Sequence, residues 1–512
     1  MVPTFVPFLW ASLLCSAATY ALADTGACKG ECSYDLSNST VSASLSISGG
    51  SNAVSDITPA GGWTVLSCNA DSLAQEIRLV CTTSACEHLF EGHGAIDTVV
   101  LLPDTCAAGG FARVADIHID SDQTIPKNVS AIVEQGGNVT STVFLLSVDR
   151  DFAAADTAKT GPISFNIATY NSPSASKRKV LARDNETLSV DLPPISIHET
   201  FPLATAEISC TDFTASVSAG FTTDIDATPS LGLIIAGTVI PPTITEFAVF
   251  LGLDASIVGT LDVLASATGT VSTGQVSLYS VALTGVNFPG IFSLGPTFTI
   301  YGELTADIDA DVAVSVDLAY NVNNAELVIP AADQPSGGSI TPADSTLSLS
   351  VLPDVTSNAR LTASLIPELL LGIEAFSVVT ADVYLNVEGT ASITLDLNAS
   401  ANATVATTGE AASGSVDGCV DIGAAFSTNV GADGSFFGFI SASASYPLYS
   451  NAWDLYSKCF GASGSTASTV TRRTEVERRA TSLTCPSSSA SVTSIEQIID
   501  EIITDIESAS SS

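Results

Sequence analysis

Ile373-Glu-Ala-Phe-Ser-Val-Val-Thr-Ala-Asp-Val-Tyr-Leu-Asn-Val-Glu-Gly-Thr-Ala-Ser-Ile-Thr-Leu-Asp-Leu-Asn398 is the most regular stretch of the 512-residue chain. Apolar residues hold its odd positions, among them Ile373, Val379, Val383, Leu385, Val387, Ile393 and Leu395. Polar residues hold every even position from Thr380 to Asn398. A side-chain period of two predicts a β-strand with one face buried and the other wet. At the rise of a strand the pattern spans roughly 80 Å unless it is bent or broken, and Gly389 is the expected place for a bulge or bend.

The same alternation recurs upstream. It runs on odd positions from Phe213 to Ile225 and from Phe247 to Val263, and on even positions from Ile300 to Leu318. Three of these runs follow a proline, namely Pro242, Pro296 and Pro367, which suggests a weak internal repeat of strand modules. Long strands with one apolar face pair face to face as a sandwich or wrap round an apolar interior. Residues 191–460 are therefore expected to form a large, long-stranded antiparallel β domain.

Residues 24–170 carry Cys28, Cys32, Cys68, Cys81, Cys86 and Cys106 among short alternating runs separated by Gly-Gly pairs. This reads as a small, mostly β, disulfide-stapled domain whose pairing the sequence leaves open. Cys210, Cys419, Cys459 and Cys485 complete the ten cysteines expected in the mature chain, with Cys419 and Cys459 expected to pair. Residues 1–23 have the pattern of a secretory signal peptide, an apolar run from Phe5 to Leu14 followed by Ala21-Leu22-Ala23, though they lack a basic leading segment. Secretion places the cysteines in an oxidising compartment. Six glycosylation sequons agree with it, at Asn38, Asn128, Asn138, Asn185, Asn398 and Asn402. Asn398 falls on the polar face of the opening stretch, where a glycan points outward.

Residues 171–190 read as a Ser-rich basic linker with Lys177-Arg178-Lys179, and residues 461–493 as a Ser/Thr-rich tail with Arg472-Arg473 and Arg478-Arg479. Arg178, Lys179, Arg473 and Arg479 mark possible processing sites, because nicking concentrates in exposed flexible segments. Residues 494–508 carry an isoleucine stripe from Ile495 to Ile506, the pattern of a short amphipathic helix.

Lys and Arg number 16 against 54 Asp and Glu, a net charge of −38. Such a chain is repelled by phosphate backbones, which argues against nucleic-acid binding. Between Arg183 and Lys458 the single Lys or Arg is Arg360, against thirty acids. Burial of Val, Ile, Leu, Phe and Ala, not ion pairing, must hold that region together. No transmembrane span is expected after the signal.

Catalytic signatures are not found, and neither a cofactor nor a catalytic residue is predicted. Asp307-Ile-Asp309-Ala-Asp311 begins like a calcium loop but has Val312 and Leu318 where Gly and Glu are required. The ladder reads as a solvated face. His88 and His93 lie near Cys86, but their spacing of five misses a zinc helix, and Cys86 is expected in a disulfide. Phe436, Phe437, Phe439, Tyr446, Tyr449, Trp453 and Tyr456 suit core packing or a sugar-stacking platform.

Asp56-Ile-Thr-Pro-Ala-Gly-Gly-Trp63, Cys86-Glu-His-Leu-Phe90, Leu101-Leu-Pro-Asp-Thr-Cys106 and Gly110-Phe-Ala-Arg-Val114 resemble the start of a family of uncharacterised secreted fungal proteins. Leu192-Pro-Pro-Ile-Ser-Ile197, Phe288-Pro-Gly-Ile291, Gly295-Pro296 and Asp433-Gly-Ser-Phe-Phe-Gly438 resemble the long β domain that follows in that family. The resemblance implies a fungal extracellular protein, with dibasic sites of the kind a kexin-like protease cuts. It transfers no reaction.

The expectation is a secreted, glycosylated, disulfide-stabilised, mostly β protein with a structural or interaction role at the cell surface or wall. Two alternatives are a carrier of apolar ligands such as lipids, and a carbohydrate-active or sugar-binding protein.

Overall fold

The computed structural model describes residues 27–37, 41–135, 142–169, 189–210, 213–329, 337–342, 347–351, 356–376, 379–399, 403–406, 416–437, 440–441 and 444–460. Outside them lie the expected signal peptide, Asn38, Asn138, Asn185, Asn402, Arg178, Lys179, Arg473, Arg479, Cys485, the expected Ser/Thr-rich tail and the expected helix over 494–508. Among the described residues the protein is mostly β, in two sheets.

The large sheet starts with β1 (Glu31–Ser37) and β2 (Ser42–Ser48). A six-stranded sheet is inserted next, formed by β3 (Val54–Asp56), β4 (Trp63–Ser67), β5 (Gln75–Cys81), β6 (Val99–Leu101), β7 (Phe111–Ile119) and β8 (Val143–Asp149). Helix α1 (Lys127–Gln135) packs Val129 and Val133 against Val80 on one face of it. The chain returns to the large sheet with β9 (Ile163–Thr169), β10 (Val190–Asp191) and β11 (Ile195–Cys210).

The long strands follow: β12 (Phe213–Ile240), β13 (Thr243–Ser272), β14 (Val276–Ala282), β15 (Val286–Phe288) and β16 (Phe292–Ile329). Then come β17 (Gly337–Pro342), β18 (Leu347–Val351), β19 (Thr356–Ala375), β20 (Val379–Ala399) and β21 (Ala403–Ala406). The last are β22 (Val416–Phe436), β23 (Ile440–Ser441) and β24 (Ala444–Phe460). The main run of antiparallel partners is β1, β2, β9, β12, β13, β16, β19, β20, β22, β24.

The opening stretch is two strands, not one. The alternation carries across a hairpin: β19 ends at Ala375, Phe376 turns at φ 54°, and β20 starts at Val379. Alternation survives because the strands on either side bury the same face. Gly389 makes no bend either. Its ladder to β22 is regular, and its missing side chain leaves room for the ring of Tyr320, which lies 2.7 Å from where a Cβ would sit.

Prolines do not mark strand starts as a group. Pro242 lies at the β12–β13 turn, but Pro296 lies within β16 and Pro367 within β19. Pro296 sits between the segments that pair with β14 and β15, where its carbonyl still accepts from Leu283 N at 2.9 Å. Pro229 does the same in β12, accepting from Leu192 N at 2.9 Å. A proline has no N–H to give the ladder, so it is tolerated where the neighbouring strand is interrupted.

The sheet curls until its apolar face meets itself. Gly302 of β16, Leu365 of β19, Gly389 of β20 and Phe426 of β22 form one row across the sheet. Tyr320 lies eighteen residues beyond Gly302 on β16, about 60 Å away on a straight strand. Its ring nevertheless packs on Phe426, centroids 4.6 Å apart. The far half of β16 must therefore fold back over the inner face of β20 and β22. At this level the interior is filled by side chains, and Tyr320 is 1% exposed. One apolar core runs from Leu45, Ile47, Phe165 and Ile167 through Phe221, Leu251, Phe298 and Leu369 to Val383 and Val430. The inserted sheet has a second core around Trp63, Leu79, Val100, Ala112 and Leu146.

Disulfides join Cys28 to Cys32, Cys68 to Cys106 and Cys81 to Cys86. Cys419 is also disulfide-bonded, and Cys459 stands opposite it in the β22–β24 register. The side chains of Cys210 and Asn398 lie outside the described residues.

Candidate functional site

The inner face of the large sheet is committed to the core, so the candidate site is sought on the outer face, at the end where β16, β19, β20 and β22 run side by side. Alternation puts Thr299, Tyr301 and Glu303 of β16 outward, with Ser364 and Glu368 of β19 and Asn386, Glu388 and Thr390 of β20. Register brings them into rows. Glu303, Ser364 and Thr390 share one row; Thr299, Glu368, Asn386 and Asn429 share another.

The rows are hydrogen-bonded. The Glu388 carboxylate accepts from Ser364 Oγ and from Thr390 Oγ1, each at 3.0 Å, and those two hydroxyls are 2.9 Å apart. Ser280 and Thr299 are joined at 3.2 Å, and Asn429 Nδ2 donates to Ser427 Oγ at 3.1 Å. Asn386 Oδ1 is a buried acceptor that no donor among the described residues reaches.

Crowding of these side chains half-buries the acids. Burial pushes the Glu303 carboxyl above its ordinary range, and the charge of Glu388 adds to the effect. Burial does the same to Glu368. Tyr301 is raised by burial and by Glu368, against a hydrogen bond with Thr299. A carboxyl raised by desolvation and by a like charge holds its proton more tightly than a solvated one. The face thus mixes hydroxyl donors, carboxyl acceptors and one unpaired amide carbonyl on a surface with a strand spacing of about 4.8 Å.

Glu303, Asn386 and Glu388 stand out in the sequence as polar members of alternating runs. Glu368, Ser364 and Tyr301 do not. Leu361, Ala363 and Leu365 keep the period, but Ile366-Pro367 breaks it just before Glu368. Only the β16–β19–β20 register reveals that Glu368 faces Thr299 and Asn386.

The other singled-out residues lie elsewhere. Asn128 is exposed on α1. Cys86 is bonded to Cys81, so its sulfur is not free for a metal. His88 Nδ1 is 3.4 Å from Ser55 Oγ, His93 Nε2 is 3.5 Å from Thr98 Oγ1, and His198 Nδ1 is 2.8 Å from Asp224. No group of three or more metal-ligating side chains converges among the described residues. The side chains of Asp307, Asp309, Asp311 and Trp453 lie outside them. No helix among the described residues is long and apolar enough to cross a membrane.

A cleft of about 310 Å³ opens at the seam of the two sheets, lined in part by Leu73, Phe288, Pro289, Ser293 and Glu374. Beside it Phe111 N donates to the Pro289 carbonyl at 2.9 Å.

A family profile described as a domain of unknown function (DUF7223) matches residues 197–461, from within β11 to just past β24. No curated protein and no solved structure matches the chain.

Proposed function

From the premise that the chain belongs to this family of domains of unknown function, we propose that it is a secreted glycoprotein with a structural or interaction role at the cell surface or wall. The observation that carries the reading is the outer face of β16, β19, β20 and β22. Carboxyls, hydroxyls and the unpaired Asn386 carbonyl are ordered there in rows on a stiff sheet. The half-buried carboxyls of Glu303, Glu368 and Glu388 are acceptors that a partner at the surface can meet with donors. Hydroxyl-rich surface polymers supply such donors repeatedly, at spacings a regular sheet can meet. The three N-terminal disulfides and the bonded Cys419 fit an oxidising, extracellular setting.

The filled interior between Tyr320 and Phe426 favours this reading over a carrier of apolar ligands, which needs enclosed space at the centre of its sheet. The test is fractionation of cells secreting the tagged protein. The protein is expected in the wall or surface fraction, with the Glu368→Lys/Asn386→Leu variant shifted into the medium. Recovery of all the wild-type protein from the free medium overturns the reading.

A further inference from the structure

Strands β1, β2 and β9 precede residues 170–189 in the chain but belong to the sheet built after them. β9 is the joint. On one side it pairs with β2, from Ala43 opposite Thr169 to Ser48 opposite Ser164. On the other it pairs with β12, from Ile234 opposite Ala168 to Ile240 opposite Ile163. Leu233 N donates to the buried Thr169 Oγ1 at 2.8 Å, closing the end of that ladder.

Packing crosses the same joint. Leu45, Ile47, Phe165 and Ile167 share one core with Leu231, Leu233 and Ile235. Phe165 meets Phe376 edge to face, with ring centroids 5.8 Å apart, and Phe152 meets the same ring at 6.2 Å. The inserted sheet adds the Phe111 to Pro289 hydrogen bond. None of this attachment is covalent. The six cysteines of residues 24–189 are all bonded among themselves, in three local pairs. The family match starts at residue 197, so the matched region leaves out the strands that cover the Ile234–Ile240 edge of its own β12.

We propose that the N-terminal residues 27–169 are a strand-donating partner of the family domain, so that scission anywhere between Thr169 and Val190 leaves one non-covalent two-chain particle. The surface that receives the partner is the β12 edge from Ile234 to Ile240 with the apolar face behind it. The partner is the N-terminal part of this same chain. Main-chain ladder bonds supply attachment, and alternate side chains entering the core supply register, as in strand addition generally. Left uncovered, that edge presents unpaired N–H and C=O groups beside exposed Leu233 and Ile235, a template for aggregation. The basic cluster Lys177-Arg178-Lys179 falls in the interval between the two ladders in sequence. Processing there matures the protein rather than releasing an N-terminal domain.

The experiment uses the full chain with a recognition sequence for a site-specific protease inserted between Thr169 and Val190. After cutting, two bands are expected on a denaturing gel, with or without reductant. A single peak at the mass of the intact protein is expected in native size-exclusion chromatography, and the fragments part only in denaturant. Two separate native peaks overturn the proposal. In the cut protein, Phe165→Ala is expected to shift the parting of the fragments to lower urea. A parting point that this substitution leaves unmoved also overturns it, because the attachment then does not run through β9.

Discussion

Tyr320 shows how a single residue holds the curled sheet. Its ring fills the notch at Gly389 and packs on Phe426, while its hydroxyl is buried with no hydrogen-bond partner among the described residues. Burial, reinforced by Glu388, pushes that hydroxyl's pKa upward, so it stays neutral. Ring and hydroxyl act in opposite directions. An unsatisfied buried hydroxyl costs about 1–3 kcal/mol, whereas an aromatic ring deleted from a core costs about 3–5 kcal/mol. Tyr320→Phe is therefore expected to leave stability unchanged or raise it by about 1 kcal/mol, and Tyr320→Ala to lower it by about 3–5 kcal/mol. Gly389→Ala drives a methyl into the Tyr320 ring and is expected to cost about 1–3 kcal/mol, the range for overpacking. Urea unfolding of the three variants checks the set. Equal losses for the Phe and Ala variants at position 320 would mean that the hydroxyl has a partner in solution.

At the scale of elements, the β19–β20 hairpin decides how the long sheet is anchored. Its turn residue Phe376 has a positive φ and is 3% exposed. A bulky residue in that backbone region is an outlier, tolerated only where packing repays it. The repayment is visible in three rings, Phe152, Phe165 and Phe437, all within 6.2 Å of it centroid to centroid. Phe376→Ala is expected to destabilise by about 3–5 kcal/mol in chemical unfolding, and Phe376→Gly, which relieves the backbone, by less than Ala. The reverse order would mean that the turn conformation carries no strain. This hairpin also marks where the sequence stops being readable. Period two in Val379–Leu395 gives the strand, its buried face and its wet face correctly. It cannot show the turn at Phe376, because a hairpin that keeps one face inward keeps the parity of the pattern. Nor can it show that Glu368 stands beside Asn386, since register is a tertiary fact set by the core. The folding of β16 back onto Phe426 depends likewise on contacts far apart in sequence. So the strands were legible and the candidate face was legible only in part, through Glu303, Asn386 and Glu388.

At the scale of the whole molecule, 54 acids against 16 basic residues make stability depend on pH in a direction unusual for carboxylates. Glu303 and Glu368 are raised from 4.5 by burial, so the folded state holds their protons more tightly than the unfolded chain. Such a group destabilises the fold above both pKa values, and the penalty is relieved as pH falls through the folded pKa towards 4.5. General repulsion among the acids fades over the same range. Asp120 and Asp122 act with the opposite sign. They are lowered from 3.8, Asp120 first by a backbone hydrogen bond at Asp122 and then by Arg78, Asp122 first by hydrogen bonds at Thr124. Their contribution is complete above 3.8 and is lost as pH falls through their folded values. Thermal unfolding is therefore expected to show Tm rising from pH 7 to about pH 4.5 and falling again below about pH 3.8. The Glu303→Gln/Glu368→Gln variant is expected to raise Tm at pH 7 and to flatten the rise on acidification, while keeping the fall below it. A Tm that drops steadily from pH 7 downward would place the controlling carboxylates among stabilising ion pairs. That outcome conflicts with a region of thirty acids whose single Lys or Arg is the exposed Arg360.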